Sequence, residues 1–255
     1  VLGEPDVRVT GSLMEDGLHL SVDFGDETWW LQPVPVTVDG ARPNDYVVFH
    51  GDDSACEGTC GVPNDREMFS DLDVPGGGAP GGTAGMEDCL YVTQLACDAD
   101  FSFFQDWGTV ANVEARINGV INTMNNQYED DVQITHEIVT IIVRTSSASN
   151  PYSSSNPVTL LTQFRSHWLA NHGNIQRDAA QLFTGKTING STIGIAWLSA
   201  ICSDFGFSMV QSDFNGTNSF GCSTDLSAHE LGHNWGADHC RCRRPQSYTM
   251  NASIT

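Results

Sequence analysis

The residues from His229 to His239 carry the types and spacing of a metal site: His229-Glu230-Leu231-Gly232-His233-Asn234-Trp235-Gly236-Ala237-Asp238-His239. On a helix, His229 and His233 stand four residues apart and project from one face, so both imidazoles can reach one ion. Gly236 supplies the left-handed residue at which a helix ends and the chain swings back, returning His239 as a third ligand. Three nitrogens leave one tetrahedral position open, as a catalytic zinc requires, whereas a structural site is closed by a fourth protein ligand. Zinc acidifies bound water to a pKa of about 7 and polarises a scissile carbonyl. Glu230, beside the first ligand, would take the water's proton and hand it to the leaving amine. The competing reading is a helix whose histidines only cap, pair or sit on a surface, and the fixed spacing of three histidines and a glycine weighs against it. His19, His50, His136, His167 and His172 lack such partners and read as ordinary surface or core residues.

Elements to position these residues are legible upstream. "GTVANVEARINGVINTMNNQY" places Val110, Val113, Ile117, Val120, Ile121, Met124 and Tyr128 at helical spacing. "SNPVTLLTQFRSHWLANHG" reads as a helix with Asn156 as cap, Pro157 in the first turn and Gly173 at the exit. "CLYVTQLAC", "VQITHEIVTIIVRT", "DAAQLF", "STIGIAWL" and "FSMVQSD" read as strands, and a last helix from about Thr224 carries the histidines. The order β-α-β-α-β-β-β-α implies a sheet with helices packed on it. Residues 6–50 read instead as four short strands punctuated by Gly, Pro, Asn and Asp. Between the two units runs "VPGGGAPGGTAG", too poor in side chains to pack and therefore a protease-accessible linker.

Composition agrees with two units. Residues 1–88 hold 18 acids and 3 bases, and residues 89–255 hold 14 and 8. The net charge of −21 argues against nucleic acid or an anionic membrane as partner, because phosphate recognition needs clustered Lys and Arg. No apolar run reaches the length of a membrane span. Eight cysteines suit an oxidising compartment, with Cys202, Cys222, Cys240 and Cys242 crowded as in a loop-stapling framework. The start at "VLGEPDV" looks processed or trimmed, and Asn189, Asn215 and Asn251 head glycosylation sequons.

The three-histidine pattern resembles the extended motif of the metzincins, zinc endopeptidases with a methionine turn beneath the metal. "SYTMNASIT" follows at a suitable distance and makes Met250 the turn methionine. Within that group the chain is most similar to the reprolysin (adamalysin, ADAM-like) family: "HELGHNWGADH" stands close to its HELGHNLGxxH, and "DAAQLFTGKTINGSTIGIAW" to its strand–turn–edge-strand segment. The resemblance implies a fold of the α/β (α+β) class, with a twisted mixed sheet and an active-site helix in a catalytic domain at 89–255, incomplete at its C-terminal end. It also implies a β-rich pro-domain at 1–73 and an activation linker at 74–88. Thr192, Ile193, Gly194, Ile195, Ala196 and Trp197 would form the sheet edge along which an extended protein or peptide substrate adds as an antiparallel strand. The alternative is an edge covered by a loop. An astacin-like or matrixin-like relationship is disfavoured because no tyrosine closely follows Met250.

"DYVVFHGDDSACEGTCGV" is similar to the pro-domain segment that ends in a cysteine-switch core, Cys-Gly-Val. By that resemblance Cys60 is a fourth zinc ligand that keeps a secreted zymogen latent, the pro-domain acting as intramolecular inhibitor. A Cys56–Cys60 disulfide is the alternative. Latency would be relieved by cleavage within about 70–88. No Lys or Arg lies between Arg66 and Arg116, so a basic-site convertase has nothing to cut there. Two departures from the family stand out: Cys240 where an aspartate often follows the third histidine, and few residues after the methionine turn. A calcium site is compatible with the acidic composition, although no EF-hand-like loop is present. A catalytically silent adhesion or binding module would keep the fold but be free to lose Glu230.

Overall fold

A computed structural model describes residues 7–25, 27–35, 38–53, 58–62, 89–212, 219–240 and 248–254. The glycine-rich segment at 74–88, Cys56 and Cys242 lie outside the described residues. Two sheets account for the strands. Four antiparallel strands, β1 (Arg8–Met14), β2 (Gly17–Asp23), β3 (Thr28–Pro33) and β4 (Tyr46–His50), form an N-terminal meander in the order β1-β2-β3-β4. The second sheet has the order β11-β5-β9-β10-β8-β6-β7, from β5 (Gly58–Cys60), β6 (Tyr91–Ala99), β7 (Ile134–Val143), β8 (Ala179–Thr184), β9 (Thr192–Ala196), β10 (Phe207–Gln211) and β11 (Ser253–Ile254). Strands β7, β6, β8 and β10 run parallel, and β9 is antiparallel to β10. This is the twisted mixed sheet with helices that the sequence leads one to expect.

Strands β8 and β10 are buried along their whole length, as a sheet covered on both faces requires. Their period-2 alternation divides side chains between two cores. Leu95, Cys97, Ala99, Phe183 and Val210 share one with Val113, Ile117, Val120, Ile121 and Met124 of helix α2 (Val110–Val132). Ala96, Ala180, Leu182, Phe207 and Met209 share the other with Leu160, Leu161, Phe164 and Trp168 of helix α3 (Pro157–Asn171). Asn156 caps α3 by accepting the amide of Thr159, with Pro157 at the first helical position as its sequence signals. Val110, assigned by spacing to the buried face of α2, is exposed; it is the first helical residue after the cap Thr109.

One helix was absent from the sequence reading and another starts earlier than read. A short helix α1 (Phe101–Trp107) follows β6, capped by the carboxylate of Asp100 on the amide of Phe103 and closed by Gly108. The last helix, α4 (Phe220–Trp235), begins a turn before Thr224 because Ser219 caps it and Phe220 is buried against Trp30 and His19 of the N-terminal sheet. That sheet meets the rest of the molecule through its more polar face. Gln32 accepts the amide of Phe220, Glu15 accepts from Asn112, Thr10 accepts from Asn126, and Arg8 pairs with Asp130.

One buried carboxylate ties the ends of three elements together. Asp98 of β6 is fully buried and accepts both guanidinium bonds of Arg144 (3.1 and 2.7 Å), the hydroxyl of Tyr152 (2.7 Å) and the indole N–H of Trp168 (2.8 Å). Removing the acceptor leaves the buried Tyr152 hydroxyl and Trp168 indole N–H without this partner and deprives Arg144 of its carboxylate. Asp98→Ala is expected to destabilise the protein by about 3–5 kcal/mol, measured by urea unfolding; a loss below about 1 kcal/mol would place the network outside the energetics that matter.

Candidate metal centre

Helix α4 presents His229 and His233 from one face, and its C-cap Gly236 adopts the left-handed conformation (φ 99°), bonding back to the carbonyls of Gly232 and His233. A side chain at 236 would be strained there and would also meet Ser199. The turn returns His239, and the three Nε2 atoms converge with separations of 3.0 Å (His229–His233), 3.2 Å (His233–His239) and 3.3 Å (His229–His239). The sulfur of Cys60 lies 3.4 Å from Nε2 of His233, and all four donor atoms fall within 4.8 Å of one another. Tetrahedral placement at ~2.0–2.1 Å from one ion sets N···N separations of about 3.3 Å. The donor set therefore fits zinc in both chemistry and size.

The outward nitrogens fix the tautomers. Nδ1 of His229 donates to the carbonyl of Thr249 at 2.6 Å, and Nδ1 of His233 donates to the carbonyl of Ala237 at 2.7 Å. Each bond leaves the Nε2 lone pair free for a metal. Burial pushes His229 down to about 4 and His233 down to about 3, and lowers His239 as well, so burial favours the uncharged ring at each position. The Cys60 thiol is pushed up by burial and by Glu230.

Glu230 is fully buried, and burial pushes it up to about 8. Its carboxyl faces the Cys60 thiol, and neither oxygen has another hydrogen-bond partner among the described residues. A buried carboxyl this poorly satisfied is a candidate for a chemical role. It rests on Gly194, where a Cβ would come within 2.4 Å of its Oε1. Beneath the histidines, Met250 packs against Gly232, whose Cβ would meet its Sδ at 2.7 Å. The sequence reading placed Gly194 on the edge strand and Gly232 inside the histidine motif, but neither was assigned these close contacts with Glu230 and Met250.

The expected edge strand is present as β9, with Trp197 just past its end and Thr192 its least buried residue. Its free edge is taken by the chain itself. Strand β5 pairs with β9 in parallel, Thr59 opposite Thr192 and Cys60 opposite Gly194, while β11 pairs antiparallel with the far side of β5. Amides of Thr59 and Gly61 donate to carbonyls of Ser191 and Gly194, and the amide of Cys60 donates to Ala252. Val62 is buried beyond them. Cys60 is a free thiol, so the Cys56–Cys60 disulfide does not form. Cys202, placed by its spacing in a stapling framework, is free as well, its sulfur beside Asp178. At the departure after the third histidine, the amide of Cys240 donates to the carbonyl of Met250 at 2.8 Å and ties the turn to the site. The calcium site that composition allows finds no support: the convergent group of ligand-type side chains among the described residues is the one at Cys60 and the three histidines.

The Reprolysin_5 family model, metallo-peptidase family M12, matches residues 90–254. The chain belongs to this metallopeptidase family. A human disintegrin and metalloproteinase domain-containing protein 15 is 37% identical over 100 residues, covering 36% of this chain and 11% of the relative. The mouse disintegrin and metalloproteinase domain-containing protein 19 is 38% identical over 86 residues, covering 34% and 9%. The zinc metalloproteinase-disintegrin-like atrase-A of Naja atra is 27% identical over 148 residues, covering 56% and 23%. The matched part thus spans less than a quarter of the length of each of these relatives. The family match starts past the N-terminal sheet and β5, so the M12 domain alone contains the three histidines, Glu230, β9 and Met250, while Cys60 comes from outside it. No helix among the described residues is long and apolar enough to cross a membrane.

Overpacking at Gly194 should be felt through Glu230. Gly194→Ala is expected to cost about 1–3 kcal/mol of stability. The cost should shrink in a Glu230→Ala background, where the colliding oxygen is gone, and a double-mutant cycle by thermal or urea unfolding measures it. Additive effects would mean that the two residues do not press on each other.

Proposed function

We propose that the protein is a zinc endopeptidase in its latent form, with His229, His233 and His239 holding the metal, Glu230 as general base and acid, and Cys60 in the fourth position. The observation that carries this reading is the convergence of three imidazole nitrogens and one sulfur at tetrahedral spacing, beside a buried carboxyl with no other partner among the described residues. Bound zinc supplies Lewis acidity toward a carbonyl and toward water. The chain's own residues do the rest. Carbonyls of Thr249 and Ala237 orient the imidazoles, and Gly194 leaves room for the Glu230 carboxyl beside the fourth position. A carboxyl displaced toward neutral pH by burial is matched to taking a proton from water and returning it to a leaving amine.

Latency follows from what occupies the cleft. The 58–62 segment fills the edge of β9, and its parallel direction is opposite to that expected of a substrate strand. Its peptide bonds are therefore presented backwards, and its sulfur holds the position where water must bind. The N-terminal sheet, proposed as the pro-domain at 1–73, anchors the segment by docking on α2 and α4. Cleavage in 70–88 would separate the anchor from the catalytic part at 89–255. Protein or peptide substrates, secretion and disulfides among cysteines other than the free Cys60, Cys89, Cys97 and Cys202 complete the proposal, in keeping with the family and with the cysteine content.

Two substitutions in the full chain test it against a quenched peptide or casein. Cys60→Ser is expected to hydrolyse substrate without prior cleavage, and the activity should vanish with a chelator. Glu230→Ala, after cleavage in the linker, is expected to retain zinc and lose hydrolysis by at least about 10²-fold. Hydrolysis undiminished in Glu230→Ala, or continued latency in Cys60→Ser with zinc bound, would overturn these roles. A chain that binds zinc and hydrolyses nothing in any form would be the binding module instead.

A further inference from the structure

The carbonyl that fixes His229 is itself held from the side. Thr249 is the residue before Met250, and its backbone oxygen accepts from His229 Nδ1 at 2.6 Å. Its hydroxyl is engaged twice: Gln127 Nε2 of α2 approaches it at 2.6 Å, and the carboxyl of Asp225 bonds it from α4. A threonine hydroxyl has one hydrogen and two lone pairs. The amide N–H of Gln127 can only donate, so the hydroxyl accepts from Gln127 and gives its own hydrogen to Asp225. Asp225 lies four residues before His229 on the same helix, hence on the same face and one turn below it. The chain of contacts therefore starts on α4, passes through the turn, and returns to α4 at the ligand.

Resting on the zinc reading of the site, we propose that Asp225, Thr249 and Gln127 act as positioning residues that hold the Thr249 carbonyl against His229 and so set how tightly the three-histidine site binds its metal. None of the three touches the metal position. The arrangement serves two needs at once. It orients the imidazole through its outward nitrogen, and it pins the segment bearing Met250, which packs directly under Gly232 between the two helical ligands. Tyr128 of α2 reinforces the same junction by donating to the carbonyl of Ala228 at 2.7 Å, next to His229. Groups facing Asp225 from the packed elements are the Thr249 hydroxyl and the Tyr128 phenol, whose proton is held more tightly in part because of this carboxylate.

Outer partners of histidine ligands commonly contribute ~10–100-fold to metal affinity. The test is zinc affinity of the full chain, by competition with a chromophoric chelator, read alongside thermal unfolding of the metal-free protein. Thr249→Val keeps the carbonyl and removes the hydroxyl, and Asp225→Leu removes its acceptor. Each is expected to weaken zinc binding at least about tenfold, with the metal-free melting temperature little changed. Thr249→Ser restores a hydroxyl and should bind as the unaltered chain does. Affinities equal across all variants overturn the relay. So does a loss of affinity in Thr249→Ser as large as in Thr249→Val, or a metal-free destabilisation that accounts for the whole effect. If the unaltered chain itself takes up no zinc, the site reading fails and the relay with it, an outcome distinct from equal binding by all.

Discussion

The hydrogen bonds from two imidazole Nδ1 atoms to the backbone carbonyls of Thr249 and Ala237 are the interactions on which the rest of the site depends. A neutral imidazole offers one lone pair, and these bonds decide that it faces inward. Ala237 follows the left-handed Gly236, so the same reversal that returns His239 also supplies the acceptor for His233. Thr249 lies in the turn beneath the helix, so the acceptor for His229 comes from a segment twenty residues away in the chain. The helix, its exit and the methionine turn are thus a single unit: moving any of them would release an imidazole as well as a strand of backbone.

Around that unit the sheet does two things. Strand β9 brings Gly194 beneath Glu230 so that the carboxyl can reach the fourth position without a Cβ in its way. Its outer edge then offers main-chain donors and acceptors, which β5 satisfies in parallel while β11 covers the other side. A segment hydrogen-bonded on both flanks, with a buried sulfur at one end and Val62 buried beyond it, is held far more firmly than a strand on an open edge. Long-range pairing of this kind holds the 58–62 segment on the sheet without a disulfide, since Cys60 remains a free thiol.

Much of this was legible in the residues. The motif spacing placed His229, Glu230 and His233 on one helix and His239 after its glycine exit, and the alternation and caps located α2, α3 and most strands within a few residues. What the chain hid was tertiary. Helix α4 starts early because Phe220 finds Trp30 and His19 on a distant sheet, a contact that no local pattern encodes. Helix α1 carried its signals, an Asp cap and a closing Gly, in a run of seven residues too short for periodicity to register. Spacing alone left Cys60 between a disulfide with Cys56 and a place by the histidines, which only the family resemblance favoured, and β5 carries its sulfur into the histidine cluster. Gly194 looked like any glycine in a strand until the carboxyl above it was in view.

The central claim is that three imidazoles and the Cys60 sulfur complete one metal site in the intact chain. X-ray absorption at the zinc edge of the zinc-loaded, uncleaved protein measures that shell directly. The expected result is three nitrogen scatterers at ~2.0–2.1 Å and one sulfur at ~2.3 Å, with the sulfur lost in Cys60→Ser. A shell of nitrogen and oxygen only in the uncleaved wild-type chain would contradict it.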